Sequence, residues 1–204
     1  MKLYYSPGAC SLASHIALAE TGTAYETEQL STKDKTALKA IHPKGYIPLL
    51  KMDTGEILSE GCAILQYIAD QKPESNLLPK FGTTERYRAI EWLNYIATEV
   101  HKGYGPLWAA ESLVTDTTAR EGFKTAVKTR LAERFDWIDQ QLAGRDFLMG
   151  KTFTVCDAYL FTCFSWSKYV DFDTTKWTNV AAWSSRVYAR PAVQRAMQAE
   201  GLLK

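Results

Sequence analysis

The chain has four cysteines but no C-x-x-C pair, and only three histidines. Cys10, Cys62, Cys156 and Cys163 stand far apart, and no histidine joins them at metal-ligand spacing, so no metal site is expected. A dithiol redox cycle through a C-x-x-C pair is excluded for the same reason. Thiols of this kind fit a reducing, cytoplasmic setting. No window approaches about 18 uninterrupted apolar residues, so no membrane span is expected. The N-terminus enters a strand pattern without a long apolar run, and no secretory leader is visible. Charge of neither sign dominates: 24 Lys plus Arg against 23 Asp plus Glu leave a net charge of +1. Without a basic stripe, nucleic acid is disfavoured as the main partner. Internal repeats and low-complexity tracts are also missing.

What is present is apolar and aromatic. A hydrophobic fraction of 46% suffices for a core and argues against disorder. The length of 204 residues suits one large domain or two small ones. Six Trp, 11 Tyr and 8 Phe are a heavy aromatic load, mostly for the core, with some to line an apolar pocket.

The first third mixes strands and helices. Lys2–Tyr5 reads as a strand, Ser6-Pro7-Gly8-Ala9 as a turn, and Ser11–Glu20 as a helix closed by Gly22. Tyr25–Leu30 is extended, and Thr32–Ile41 is polar with helical character. Ile47–Met52 and Glu56–Ser59 flank Asp53-Thr54-Gly55, a hairpin signal. Ala63, Ile64, Tyr67 and Ile68 form a helical face that stops before Pro73. The stretch from Pro73 to Thr84 has the composition of a linker. Beyond it every pattern is helical. Ile90, Leu93, Ala97, Val100, Tyr104 and Leu107 keep one apolar face, as do Phe123, Val127, Leu131, Phe135, Ile138 and Leu142. Thr154 and Asp157 have capping-box spacing. Val180–Tyr188 and Ala192–Ala199 are short terminal helices. These patterns predict an α/β N-terminal domain over residues 1–77 and an all-helical C-terminal domain over 86–204.

Three local features carry chemistry. Cys10 sits at a strand–turn–helix junction, where unpaired N–H groups and the helix dipole favour a thiolate. The alternative is a small buried hydrophobe. Ile47-Pro48 opens a strand, and an X-Pro bond permits the cis form. Ser59-Glu60-Gly61-Cys62 is a second strand-to-helix junction, whose N–H groups suit a carboxylate while Glu60 suits an ammonium. Glu60 as a dipole-balancing residue is the plainer alternative.

Together these segments resemble the cytosolic glutathione transferases, and most closely their bacterial beta class, which carries a cysteine at the first helix start. The resemblance covers the whole chain and runs through five segments in order: Ser6–Ala13, Pro43–Leu49, Leu58–Tyr67, Glu91–Lys102 and Thr154–Phe161. It implies a thioredoxin-like N-terminal domain followed by an all-helical domain. The activity it implies is attack of glutathione thiolate on apolar electrophiles, with glutathione as co-substrate and a homodimer as the assembly. Cys10, Ser11 and His101 would then form the catalytic set. Glu60 would take the glutathione ammonium, with the N–H groups after Gly61 on the adjacent carboxylate. Many relatives have Ser or Thr where Gly61 stands, so one hydroxyl contact is absent. Ile47, before Pro48, would pair with the cysteinyl unit, and Lys35 or Lys33 would reach the glycyl carboxylate. Asn94 and Thr98 would share the cleft face of their helix with His101, and Glu99 would act across the dimer. Tyr5, Tyr104, Leu107, Trp108 and Trp166 are expected around the acceptor, and His15 and His42 are expected to be structural. Two rivals stand beside this reading: a monothiol disulfide oxidoreductase acting through Cys10, and a non-catalytic binding protein.

Overall fold

The computed structural model describes residues 1–203. The N-terminal part is a four-stranded mixed sheet with strand order β2-β1-β3-β4, where β1 is Lys2–Tyr5, β2 Glu26–Gln29, β3 Leu49–Lys51 and β4 Ile57–Ser59. β1 pairs parallel with β2, and their crossover is α1, Ser11–Thr21. Strands β1 and β3, and β3 and β4, pair antiparallel. A tight turn joins β3 to β4, with the Gly55 N–H bonding the Met52 carbonyl at 2.9 Å; Gly55 has φ of 89° there, a left-handed conformation that glycine adopts freely. Helix α2, Lys35–Ile41, starts on Asp34, whose carboxylate accepts from the Thr36 and Ala37 N–H groups. It is shorter than the polar stretch suggested, because this cap fixes its start three residues in. Helix α3, Gly61–Gln71, follows β4 directly.

Among the described residues, everything after Gln71 is helical or irregular. Helix α4 spans Thr84–Tyr95 and runs into a π-helical turn, Ile96–His101, then α5, Lys102–Trp108. The short α6, Ala110–Leu113, leads to α7, Thr117–Leu142. Helix α8, Val155–Ser165, is almost wholly buried and begins with the Thr154–Asp157 capping box. The buried Asp157 carboxylate also accepts from the Leu148 N–H at 2.8 Å and the Trp183 indole at 2.9 Å. Such a carboxylate needs this many donors, since an unpaired buried charge costs several kcal/mol. Helices α9, Thr178–Tyr188, and α10, Pro191–Ala199, complete the domain. The fold is thus a thioredoxin-like unit followed by an all-helical one.

The two units are locked together. Arg86 is buried and grips Asp70 with two bonds of 2.7 and 2.8 Å. Arg190 does the same to Glu20 at 2.6 and 2.8 Å, while its guanidinium lies 4.2 Å from the Phe153 ring centre. The connecting segment is itself packed: Leu77 is buried and its carbonyl accepts the Val155 N–H at 3.0 Å. Among the described residues no helix is long and apolar enough to cross a membrane.

Candidate active site

The cleft between the two units opens over the N-terminus of α1. Cys10 caps that helix, partly accessible, and its thiol donates to the Ile47 carbonyl at 3.3 Å. The turn before it is held from three sides. The Ser11 hydroxyl accepts the Ser6 N–H at 3.1 Å and donates to the Ser6 carbonyl at 3.2 Å. The Gly8 N–H donates to Glu200 at 2.8 Å, and the Gly8 carbonyl accepts the Trp166 indole at 2.8 Å. Glu200 also bonds His15 Nδ1 at 2.9 Å. The last turn of the helical unit therefore fixes the loop that presents Cys10. His15 is buried and structural, as its sequence context implied.

Helix position alone does not set the Cys10 thiol. Its own N–H and that of Ser11 favour the thiolate, as does the Lys102 ammonium, but burial dominates and pushes the thiol up to about 11. The expected shift toward thiolate is thus reversed, since desolvation of a buried anion outweighs a helix terminus. Ser11 contributes its backbone N–H. Its hydroxyl is fully buried and committed to Ser6, so it is not a side chain of the cleft.

One part of the cleft has a volume of about 390 Å³. Cys10, Lys35, Ile47, Pro48, Glu60, Gly61 and His101, all named from the sequence, line it together. The Ile47–Pro48 peptide is cis. Glu60 caps α3 with φ of 71°, a left-handed conformation that costs a non-glycine residue roughly 1–3 kcal/mol and is typical of functional sites. Its carboxylate is held below its usual range by a 2.6 Å bond from Lys44 Nζ. Gly61 starts α3, and a Cβ placed on it would meet nothing closer than Pro48 Cγ at 4.0 Å. Lys35 enters the cleft, anchored on the Gly45 carbonyl at 3.0 Å and lying 4.7 Å from the Tyr46 ring centre. Lys33 does not line it. His42 does, against the expectation of a purely structural role.

His101 reaches the cleft for a reason the α-helical period hides. The Lys102 N–H bonds the Ala97 carbonyl, a five-residue step that marks the π-turn. The extra residue rotates the next helical turn, so Ala97, His101 and Lys102 face the cleft. Asn94 and Thr98, expected beside His101, do not: both are exposed, and the Thr98 hydroxyl returns to the Asn94 carbonyl at 3.0 Å. Glu99 lies in the neighbouring groove between α5 and α7 and bonds Arg134 at 3.0 Å. The His101 imidazole bonds the Tyr159 hydroxyl through Nδ1 at 2.7 Å and packs edge-on to Trp166 at 4.9 Å. Burial, aided by Lys102, lowers it to about 4, so it is neutral at pH 7. Tyr159 is pushed far up by burial and stays a phenol.

On the far side of Cys10 lies a second pocket of about 560 Å³, with Trp108 and Trp166 among its walls. Tyr5, Tyr104 and Leu107 were expected there and belong instead to the core. Tyr5 packs on His15 with ring centres 5.5 Å apart, and Tyr104 is fully buried with its hydroxyl on Ser167 at 2.7 Å. Lys44, Lys102 and Tyr159 were missed. Lys102 follows His101 directly, and that adjacency was the one local signal available.

Comparison with known proteins agrees with this geometry. Residues 1–70 match the glutathione S-transferase N-terminal domain and residues 96–191 the glutathione S-transferase C-terminal domain. The chain is 40% identical to glutathione S-transferase GstA of Escherichia coli O157:H7, over 99% of this chain and 100% of that one. Among solved structures, a sphingomonad glutathione S-transferase complexed with glutathione is 39% identical, with a TM-score of 0.90 over the whole of both chains. The bacterial beta class glutathione S-transferase of Sphingomonas chungbukensis is 38% identical, with the same TM-score and coverage. Two domain models in order, end-to-end identity of this size and the cysteine-capped first helix leave one assignment: the chain belongs to the glutathione S-transferase family and resembles its bacterial beta class.

Proposed function

We propose that this protein conjugates glutathione to apolar electrophiles, with Cys10 and His101 as the catalytic pair. The observation that carries the reading is the convergence of Cys10, the Ile47 carbonyl, Glu60 and the start of α3 on one cleft beside His101. Glutathione has one ammonium, two carboxylates and one thiol. Glu60 takes the ammonium, and the α3 N-terminus at Gly61 takes the adjacent carboxylate, as helix N-termini favour anions. The Ile47 backbone pairs with the cysteinyl unit and Lys35 with the glycyl carboxylate. The bound thiol gives up its proton to solvent, its sulfur attacks the electrophilic carbon, a C–S bond forms, and the leaving group departs with its electron pair. Neutral Cys10 turns its single S–H from the Ile47 carbonyl, which pairs with the cysteinyl unit instead, toward the glutathione sulfur, and His101 adds a second polar group beside it.

The protonated state of Cys10 argues against the monothiol exchange reading, because exchange needs a protein thiolate. The protein acts in the cytoplasm as a homodimer, with α4 to α5 in the two-fold interface and Glu99 near the partner's cleft. Calorimetry tests the site. Glu60→Ala loses a charge-assisted partner of glutathione, and affinity falls by about 1–3 kcal/mol. Unchanged affinity would reject the assignment. Sedimentation showing a monomer at micromolar concentration would reject the assembly.

A further inference from the structure

The pocket walled by Trp108 and Trp166 carries charge of one sign. Among the described residues that line it, Lys102 is the one side chain with a formal charge at neutral pH. No carboxylate is among them, His101 is neutral, and the Cys10 thiol is protonated. Tyr169, one of the lining residues, has the Lys168 ammonium 4.8 Å from its ring centre. The carboxylates bordering Lys102 in adjoining grooves are already matched. Glu60 bonds Lys44 at 2.6 Å, and Glu99 bonds Arg134 at 3.0 Å. Glu200 sits behind Gly8, with its two oxygens on the Gly8 N–H and on His15. Lys102 itself makes no ion pair among the described residues, and it stands where this pocket, the glutathione cleft and the groove between α5 and α7 meet.

We propose that this pocket selects planar aromatic electrophiles bearing an anionic group, a ring carboxylate foremost, with the ring on the tryptophan walls and the carboxylate on Lys102. The proposal rests on the conjugation reading above and adds its substrate class. Indole walls suit flat rings, and the exposed Lys102 ammonium at their edge favours one anion over its neutral analogue. For a halogenated ring, the glutathione sulfur forms the C–S bond, halide leaves with the C–X electron pair, and the thiol proton goes to solvent. The charge developed on the ring during attack also lies in the field of Lys102.

The test compares 4-chloro-3-nitrobenzoate with 4-chloro-3-nitrobenzamide, a neutral analogue of nearly the same shape. Each kcat/KM is divided by that compound's uncatalysed rate with glutathione, which removes the difference in intrinsic reactivity. The carboxylate is preferred by up to about fivefold, the scale of one ion pair at an exposed lysine. Lys102→Arg keeps the preference, Lys102→Gln abolishes it, and added salt shrinks it. Absence of the preference in the unmodified protein, or its survival in Lys102→Gln, overturns the proposal, whereas conjugation of the benzamide by the unmodified protein reports on the transferase reading alone. Calorimetry with glutathione alone covers the remaining case: a Lys102→Gln variant that loses glutathione affinity with the ratio unchanged assigns Lys102 to glutathione and overturns the proposal. Glutathione binding without conjugation of either compound overturns the transferase reading and this proposal with it.

Discussion

Cys10 in the free protein is expected to resist alkylation at neutral pH. A free cysteine with a pKa of about 8.5 is roughly 3% thiolate at pH 7. The burial that pushes Cys10 to about 11 leaves roughly one part in ten thousand, so its alkylation falls about 300-fold below that of an unhindered thiol. Lower access through the cleft adds to this. The perturbation is iodoacetamide over a pH range, with the modified peptides followed by mass spectrometry. The Cys10 rate climbs about tenfold per pH unit through pH 9 without a plateau. Cys62 provides a control within the same chain, since burial raises it to about 11 as well, while its thiol donates to the Leu93 carbonyl at 3.4 Å. A Cys10 rate that levels off below pH 8 would refute the argument. It would show that the helix N-terminus and Lys102 outweigh desolvation, and would return disulfide exchange to consideration. The same reasoning sets the outcome of Cys10→Ser: conjugation is reduced but present, because a hydroxyl still donates to the glutathione sulfur and the nucleophile comes from glutathione.

Lys44→Met removes the ammonium that occupies Glu60; both side chains are about half or more exposed, so the pair is worth at most about 1 kcal/mol, and glutathione binds up to about fivefold tighter by calorimetry. Weaker binding would mean that Lys44 contacts glutathione itself. Gly61→Ser places a hydroxyl at the start of α3 with no atom nearer to its Cβ than 4.0 Å and no left-handed φ, so the variant folds normally and gains about 1 kcal/mol of glutathione affinity; a fall in melting temperature or in affinity counts against the site as described. His101 sits at about 4 in the folded protein against about 6.5 when unfolded, so the unfolded chain takes up its proton first. Its contribution to stability is therefore complete above about pH 6.5 and is lost as pH falls toward 4. Melting curves of His101→Asn fall less over that window, and a His101 NMR titration centred above pH 6 would reverse the sign.

The parts of this fold that local rules govern were legible in the sequence. Strand β1, the turn, Cys10 and α1 follow from residues adjacent in the chain, as do the Asp53-Thr54-Gly55 turn and the Thr154–Asp157 box. Glu60 and Gly61 were legible because a strand-to-helix junction aims N–H groups outward whatever surrounds it. The misses share a different origin. Apolar residues at three- and four-residue spacing run unbroken through Ile96–His101, so nothing in the pattern announced the π-turn, and Asn94 and Thr98 were placed on the wrong face. Tyr159 reads as one more apolar residue of a buried helix, and only the fold brings its hydroxyl to His101, 58 positions earlier. Glu200 secures Gly8 across 192 positions.

The protonation of Cys10 shows how the two kinds of information combine. The sequence supplied the groups that stabilise a thiolate, and all of them are present. It did not show how the helical unit packs over α1 and partly covers Cys10. In a half-open cleft the two effects oppose each other, and the sum depends on what fills the space. When glutathione brings its own sulfur there, the N–H groups at α1 and the ammonium of Lys102 act on a sulfur that arrives from solvent rather than on one built into the wall. An environment that keeps its own cysteine protonated is then suited to hold that cysteine as a donor. This division of labour needs Cys10 neutral and His101 neutral together, and burial beneath the helical unit imposes both.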